Sequence, residues 1–545
     1  MKLRDTNIKH LDDRTFDVVI IGGGINGAVG AAALAAQGCS VALIDRGDFA
    51  GQTSQASSNL VWGGIKYLES YEFLLVRKLC KSRNRLLESY PSIVKEIRFF
   101  ASLAQDFRRS RFTVYLGALL YWLMGGFYTR RPRLLSPAQI ERDEPVVRTG
   151  ALTGGVEYSD AYLHDNDARF VFQFIRSALD HGAVVANYVE STGSRREGDV
   201  WVTDAHDLMS DRAITIRGRV MINACGPWAD EYSQRAQVST EHRHLFSKGV
   251  HLLIDRVTPN RRVLAFFADD GRLFFAIPMG PKTCIGTTDT RVENVPAVVT
   301  EEDRRFILDN INKRLDLEQP LTEADIIAER CGVRPLVVKA STQTPGSADW
   351  TALSRKHEIE VDHDRQRISI FGGKLTDCLN VGEGITEAVQ ALGVALPHRG
   401  VKWYGEPQDS VRDEFFHQAR LMGLDEMTAP ESSEPLSTRL WRRYGFRALA
   451  MLEKIRQEPE QAEVLIKGTE YIRAEIEHTA RCEMVTKLED FLRRRSKISL
   501  IERTETIRSA PGIMEACRIL FGDQAEAKFR EYFGAAAQPS EAIAS

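Results

Sequence analysis

Three observations predict an α/β fold with an inserted antiparallel sheet and a C-terminal all-α domain. The apolar run Phe16-Asp17-Val18-Val19-Ile20-Ile21 leads directly into Gly22-Gly23-Gly24-Ile25-Asn26-Gly27. Two further strands end in small-residue turns far downstream, at Val220 to Trp228 and Ile370 to Thr376. Beyond Arg399 the text becomes helical and highly charged. Unbroken apolar strands belong to parallel sheets covered by helices on both faces, so separated stretches of chain build one such sheet.

The first junction carries the most specific pattern. Gly22-x-Gly24-x-x-Gly27 turns strand into helix. The first glycine permits the tight turn, the second lets backbone approach a phosphate, and the third lets helix pack on strand. Free N–H groups at the start of that helix, around Ile25 and Asn26, then point at a pyrophosphate. The helix continues through Ala31 to Ala36 and stops at Gly38, and the strand Ser40 to Ile44 delivers Asp45 to the adenosine ribose. Strand, motif, helix, glycine, strand and acid together make a Rossmann-like dinucleotide-binding unit.

A polar loop follows, with Thr53, Ser54, Ser57 and Ser58, ending at Trp62-Gly63-Gly64. It either donates hydroxyl hydrogen bonds to the cofactor or is a solvated surface loop. Residues 68–145 read as mainly helical, and β-like runs recur from Ala183 to Val220, with Val189 placed near the cofactor. Around His251 to Ile254 and Arg272 to Ile277 the pattern is that of a separate antiparallel sheet. The expected organisation is a discontinuous dinucleotide-binding domain from 14–70, 155–235 and 330–398. Segments 71–154 and 236–329 form a substrate domain, 399–533 a helical domain and 534–545 a frayed tail.

A net charge of −3 supplies no field for nucleic acid. Eight scattered cysteines without a CxxC suit buried thiols in a reducing cytoplasm, and no apolar leader precedes the first strand. Phe112 to Thr129 carries no formal charge and is bracketed by Arg108, Arg109 and Arg111 and by Arg130, Arg131 and Arg133. It admits three readings: a buried helix, a membrane-interface element, or a short span. Only one dinucleotide motif occurs. Followed by the Ser/Thr loop, Gly226-Pro227-Trp228 and Gly372-Gly373-Lys374, it reads as the pyrophosphate cradle of FAD.

These motifs resemble, nearly end to end, the flavin-dependent glycerol-3-phosphate dehydrogenases of the D-amino-acid-oxidase-like superfamily. The resemblance rests on Gly22 to Gly27, Thr53-Ser54 with Ser57-Ser58, Gly63-Gly64-x-x-Tyr67-Leu68-Glu69 and Glu157-Tyr158-Ser159-Asp160. It continues through Gly226-Pro227-Trp228, Lys248-Gly249-x-His251, Gly286-Thr287-Thr288-Asp289, Gly332-Val333-Arg334-Pro335-Leu336 and Phe371-Gly372-Gly373-Lys374-Leu375-Thr376. Glu483 to Arg495 resembles the family's C-terminal helical domain. Three positions depart from the pattern: Trp62 for a histidine, Lys66 for an arginine and Asp377 for a threonine. Lys66 lacks the planar fork that grips phosphate, and Asp377 would repel a phosphate sharing its pocket.

Oxidising a secondary alcohol by flavin needs a base, a hydride path and positive charge beside the reduced ring. His251 is the expected base, titrating near neutrality, although a lone histidine is more often structural. Arg334 is expected on substrate phosphate or alkoxide, its alternative being a structural ion pair. Lys374, with Gly373, Leu375 and Thr376, is expected at the flavin ring. Lys66 and Tyr67 are weaker substrate candidates, because a solvated lysine and a packing tyrosine are the common cases.

The expected activity is FAD-dependent oxidation of sn-glycerol 3-phosphate to dihydroxyacetone phosphate. An FAD-dependent dehydrogenase or oxidase of a related polyol phosphate or glycerol derivative, or a non-enzymatic flavin-binding protein, is the alternative. The resemblance implies a quinone as electron acceptor, with an oxygen-using oxidase as runner-up. Expected besides are peripheral membrane contact through 108–133, a cytoplasmic location, no metal and a homodimer as one compatible assembly.

Overall fold

The computed structural model describes residues 3–105, 107–341, 356–430 and 432–535. The chain divides into two units, one of residues 8–404 and one of the residues from 405 onward together with those up to 7.

The larger unit holds two sheets. In the first, Val184–Ala186, Val41–Ile44, Thr15–Ile21, Arg212–Asn223 and Arg367–Phe371 run parallel in that order, with Glu358–Asp362 antiparallel at one edge. The three strands expected to share a sheet are thus neighbours, with Ile21 beside Ile44 on one side and Asn223 on the other. Helix Ile25–Ala36 packs between helices Asp167–Asp180 and Cys378–Ala391. Its alanines and glycines are explained by that position, since all but one of its residues are buried and a helix enclosed on every side has no polar face to keep.

The second sheet is ten-stranded and antiparallel except where Arg262–Phe267 runs parallel to Val94–Ala104. Next to one edge runs the long strand His242–Asp255, flanked by Ala328–Lys339 on the outer side and by Lys282–Gly286 and then Thr290–Val292 on the inner side. The strand Val94–Ala104 corrects the mainly helical reading of 68–145. The miss has a physical reason. Its Ile97, Phe99, Phe100 and Leu103 are buried on both faces, and such a strand lacks the period-2 alternation that marks a half-exposed one. Residues 155–163 and 330–339, grouped with the dinucleotide-binding domain from sequence, run in this second sheet, within Leu152–Leu163 and Ala328–Lys339.

The smaller unit is built of helices, among them Asp409–Leu421, Leu436–Tyr444, Ala448–Gln457, Arg473–Cys482 and Ile513–Phe521. Part of its high charge is turned inward: Arg439 and Arg443 are buried and pair with Glu475 at 3.2 and 3.0 Å. Of the expected tail, residues 536–545 lie outside the described residues.

Gly27 is the tightest packing point of the first sheet. A Cβ there would lie 1.8 Å from the Gly22 carbonyl oxygen, and neither strand end nor helix start has a side chain that can swing away. Gly27→Ala is expected to lower the urea midpoint of unfolding, by an overpacking cost of about 1–3 kcal/mol.

Candidate active site

Three strand ends meet at the start of helix Ile25–Ala36. Gly22 has φ of +108°, and a Cβ on it would lie 2.4 Å from the Ala224 carbonyl oxygen. Asn26 Nδ2 donates to the Gly372 carbonyl at 2.9 Å, and a Cβ on Gly373 would lie 2.9 Å from Asn26 Oδ1. The first N–H groups of the helix have no intrahelical acceptor. One of them, on Ile25, donates to Ser54 Oγ at 3.0 Å, and a Cβ on Gly24 would lie 3.3 Å from that oxygen. A side chain on Gly24 would fill the space where a phosphate meets these donors, so the cradle fits a dinucleotide pyrophosphate.

Around this cradle stand the other cofactor candidates. Asp45 accepts N–H bonds from Gly23 at 2.6 Å and Gly47 at 2.8 Å. Burial outweighs both bonds and pushes its carboxyl up to about 6. Val189 donates its N–H to the Asp45 carbonyl at 2.8 Å. Trp228, in the turn opened by Gly226 at φ of +55°, stacks with the Arg46 guanidinium 4.3 Å from its ring.

The Ser/Thr loop is not a solvated excursion. It crosses onto the face of the second sheet, where Thr53 Oγ1 donates to the Val333 carbonyl at 2.8 Å. A Cβ on Gly332 would lie 2.8 Å from Ala56 Cβ. Ser57 N–H donates to Asp167 at 2.8 Å, and Ser57 Oγ accepts from Asn59 N–H at 3.1 Å. Ser58 is half-buried beside them.

On that same sheet face lie His251 and Arg334. Cross-strand register pairs His251 with Arg330, Gly249 with Gly332 and Ser247 with Arg334, and residues directly opposite in an antiparallel pair share a face. The other neighbour of His251 is Gly286, where a Cβ would lie 2.9 Å from the imidazole. A Cβ on Gly249 would lie 2.2 Å from the Arg334 guanidinium. Glycines 249, 286 and 332 therefore clear the space that the side chains of His251 and Arg334 and the loop fill.

His251 is 2% exposed, and neither ring nitrogen has a hydrogen-bond partner among the described residues. Burial first, then the charges of Arg330 and Arg334, push its pKa well below the usual histidine value. The imidazole is thus neutral rather than poised near pH 7, a difference from the sequence reading, which could not see the two cations. Arg334 is more open and pairs with Asp289 at 3.2 Å, with Thr287 Oγ1 accepting at 3.0 Å. Lys248 of the same motif is directed to Asp303 at 2.5 Å.

A second group forms at the Gly372-Gly373 turn. Lys374 Nζ donates to the Tyr67 hydroxyl at 2.8 Å and lies 4.2 Å from the centre of that ring. Thr376 Oγ1 donates to the Trp62 carbonyl at 3.2 Å, with Leu375 half-buried between. Gly63 N–H donates to buried Asp160 at 3.1 Å, and Gly64 takes φ of +81°. Lys66 is exposed. Lys374 and Asp377 border a cavity of about 180 Å³ that also meets Lys78, Lys356 and His357.

Asp377, which replaces an expected threonine, is matched by its own partners: His357 Nδ1 at 2.9 Å, Lys78 Nζ at 3.3 Å and Ser82 Oγ at 2.9 Å. Burial alone would raise its carboxyl, but His357 and Lys78 outweigh it and hold the group at about 2. Its charge is compensated locally. Sequence reasoning missed His357, Lys78, Arg330, Asp167 and Asp289 as neighbours of the site. Only Asp289 stood in a quoted motif, and the others come together through strand register and helix packing.

The sequence and fold comparisons agree with this geometry. Residues 17–348 match the family described as FAD dependent oxidoreductase, and residues 400–527 match the C-terminal domain of alpha-glycerophosphate oxidase. The chain therefore belongs to the FAD-dependent oxidoreductases, and its cofactor is FAD. It is 31% identical over 498 residues to a glycerol-3-phosphate dehydrogenase of Pseudomonas aeruginosa, covering 89% of this chain and 92% of that one. To an aerobic glycerol-3-phosphate dehydrogenase of Bacillus subtilis it is 32% identical, covering 74% and 71%. The fold matches a crystal structure of the glycerol-3-phosphate dehydrogenase from Bacillus halodurans complexed with FAD, with a TM-score of 0.72 at 24% identity over 98% and 97% of the two chains. Within the oxidoreductases, the chain is a member of the FAD-dependent glycerol-3-phosphate dehydrogenase family.

The Asp377 cluster makes a pH-dependent contribution to stability. Its folded pKa lies below the unfolded value, so the stabilisation is complete above about pH 4 and fades as pH falls toward 2. Asp377→Asn is expected to lose about 2 kcal/mol at pH 7 by urea denaturation, a gap to the native protein that narrows below pH 4.

Proposed function

We propose that this chain oxidises sn-glycerol 3-phosphate to dihydroxyacetone phosphate, passing a hydride to FAD and the electrons onward to a quinone. The observation that carries the reading is the shared sheet face on which His251 and Arg334 meet the loop from the dinucleotide cradle. FAD supplies the hydride acceptor when bound.

The remaining work falls to the chain's own residues. A ring nitrogen of His251, neutral and without a competing donor, takes the proton of the secondary hydroxyl. Arg334, always charged, holds the phosphate or the developing alkoxide and shares its guanidinium with Asp289. Lys374, oriented by the Tyr67 hydroxyl, places positive charge at the flavin ring. The compensated charge of Asp377 removes its argument for a less charged substrate.

Anaerobic titration of the holoenzyme with glycerol 3-phosphate should bleach the flavin absorbance; an oxidised flavin at every concentration refutes the reading. His251→Asn is expected to slow that reduction by about 10²–10⁴-fold. Reoxidation by a soluble quinone analogue, faster than by oxygen, separates dehydrogenase from oxidase.

The segment 108–133 supports a membrane-surface location for the acceptor. Helix Arg111–Met124 is neither buried nor long enough to cross a membrane. It buries Ala118 and Tyr121 and exposes Phe112, Leu116, Leu120 and Leu123 on a helical stripe, continued by Phe127. Arg108, Arg109, Arg130, Arg131 and Arg133 stand exposed at its ends. An apolar face rimmed by arginines suits the headgroup boundary of an anionic bilayer. Replacing Phe112, Leu116, Leu120 and Leu123 by serine should abolish co-sedimentation with anionic phospholipid vesicles while leaving reduction of the flavin by substrate unchanged. Equal sedimentation of both proteins would refute the location.

A further inference from the structure

Arg330 is completely buried, yet neither the sequence motifs nor the steps above use it. Its Nη2 lies 2.6 Å from Asp167 and donates to the Gln55 carbonyl at 2.9 Å, and its Nη1 donates to Asn59 Oδ1 at 3.2 Å. Asp167 also accepts the Ser57 N–H. One guanidinium therefore grips the cofactor loop at both ends. It does so from the strand position directly opposite His251, on the same sheet face.

We propose that Arg330 is a positioning residue that holds the Gln55–Asn59 loop with its fork and keeps the imidazole of His251 unprotonated with its charge. The inference rests on the reading of His251 as the base. A fixed cation beside a desolvated imidazole disfavours the second proton. The charged groups facing that ring are Arg330 and Arg334 from the neighbouring strand, with their partners Asp167 and Asp289 behind them. The third strand presents only Gly286. Both cations are paired with a carboxylate, but Arg334 is partly open to solvent while Arg330 is sealed from its screening, so Arg330 is the steadier of the two fields.

The test compares Arg330→Met with Arg330→Lys, which both lose the fork but differ in charge. Bound flavin is counted by absorbance, and the FAD dissociation constant and the pH profile of kcat/KM for glycerol 3-phosphate are measured. The dissociation constant should rise in both variants. In Arg330→Met alone the acid limb should move up by about one pH unit, a tenfold selective loss on its acid side. Losses that are equal in the two variants and flat with pH overturn the proposal, as does an unchanged FAD affinity in both. If Arg330→Met does not fold with Asp167 left unpaired, the double variant with Asp167→Asn is compared with Asp167→Asn alone, so that the difference between the two reports the Arg330 charge. His251→Asn separates the two ideas. If it keeps the acid limb, the base reading fails and this inference with it; if it abolishes the limb while Arg330→Met leaves the limb in place, only this inference fails.

Discussion

The contact of Ala56 with Gly332 is the constraint on which the site depends. It is where the loop leaving the parallel sheet lies down on the face of the antiparallel one. A side chain at 332 would lift the loop, and with it the hydrogen bonds from Thr53 to Val333 and from Arg330 to Gln55. The two sheets would then present their functional groups to separate spaces. Close backbone approach is a recurring device here, since Gly22, Gly27, Gly249, Gly286 and Gly373 each stand where a Cβ would collide with a neighbouring element.

Around that contact the charges are sealed and paired rather than spread in solvent. Arg330 with Asp167 and Arg83 with Asp160 are almost wholly buried pairs. Each also holds a backbone group of the cofactor loops, Gln55 for the first and Gly63 for the second. Removing one partner of such a pair strands the other in low dielectric, so they specify geometry more than they add stability. The Arg83 group has a second consequence. Tyr121, one of two buried residues of the amphipathic helix, donates to Asp160 at 2.7 Å. The helix that turns an apolar stripe outward is thereby tied to the carboxylate that orients Gly63.

Much of this was legible in the residues. The strand, glycine motif and alanine helix of 16–36 carry a period and a turn chemistry that permit one local structure, and the junctions at 220–228 and 370–376 repeat it. The strand Val94–Ala104 was not legible, because burial on both faces erases alternation. The surface helix of 111–124 was ambiguous for a related reason: uncharged residues on its outer face look like core until the packing partner is known.

The sequence by itself determined the Gly22 to Gly27 strand-turn-helix unit and the α/β class, and its motifs named His251, Arg334 and Lys374 as candidates, because these rest on patterns among residues near one another in the chain. Tertiary structure alone decided what each candidate faces. It placed Arg330 opposite His251, Asp289 on Arg334, Tyr67 under Lys374 and His357 with Lys78 on Asp377. Those neighbours come from strand register and helix packing across tens to hundreds of residues. The electrostatic state of a buried group is the sum of what register and packing bring within a few ångströms of it.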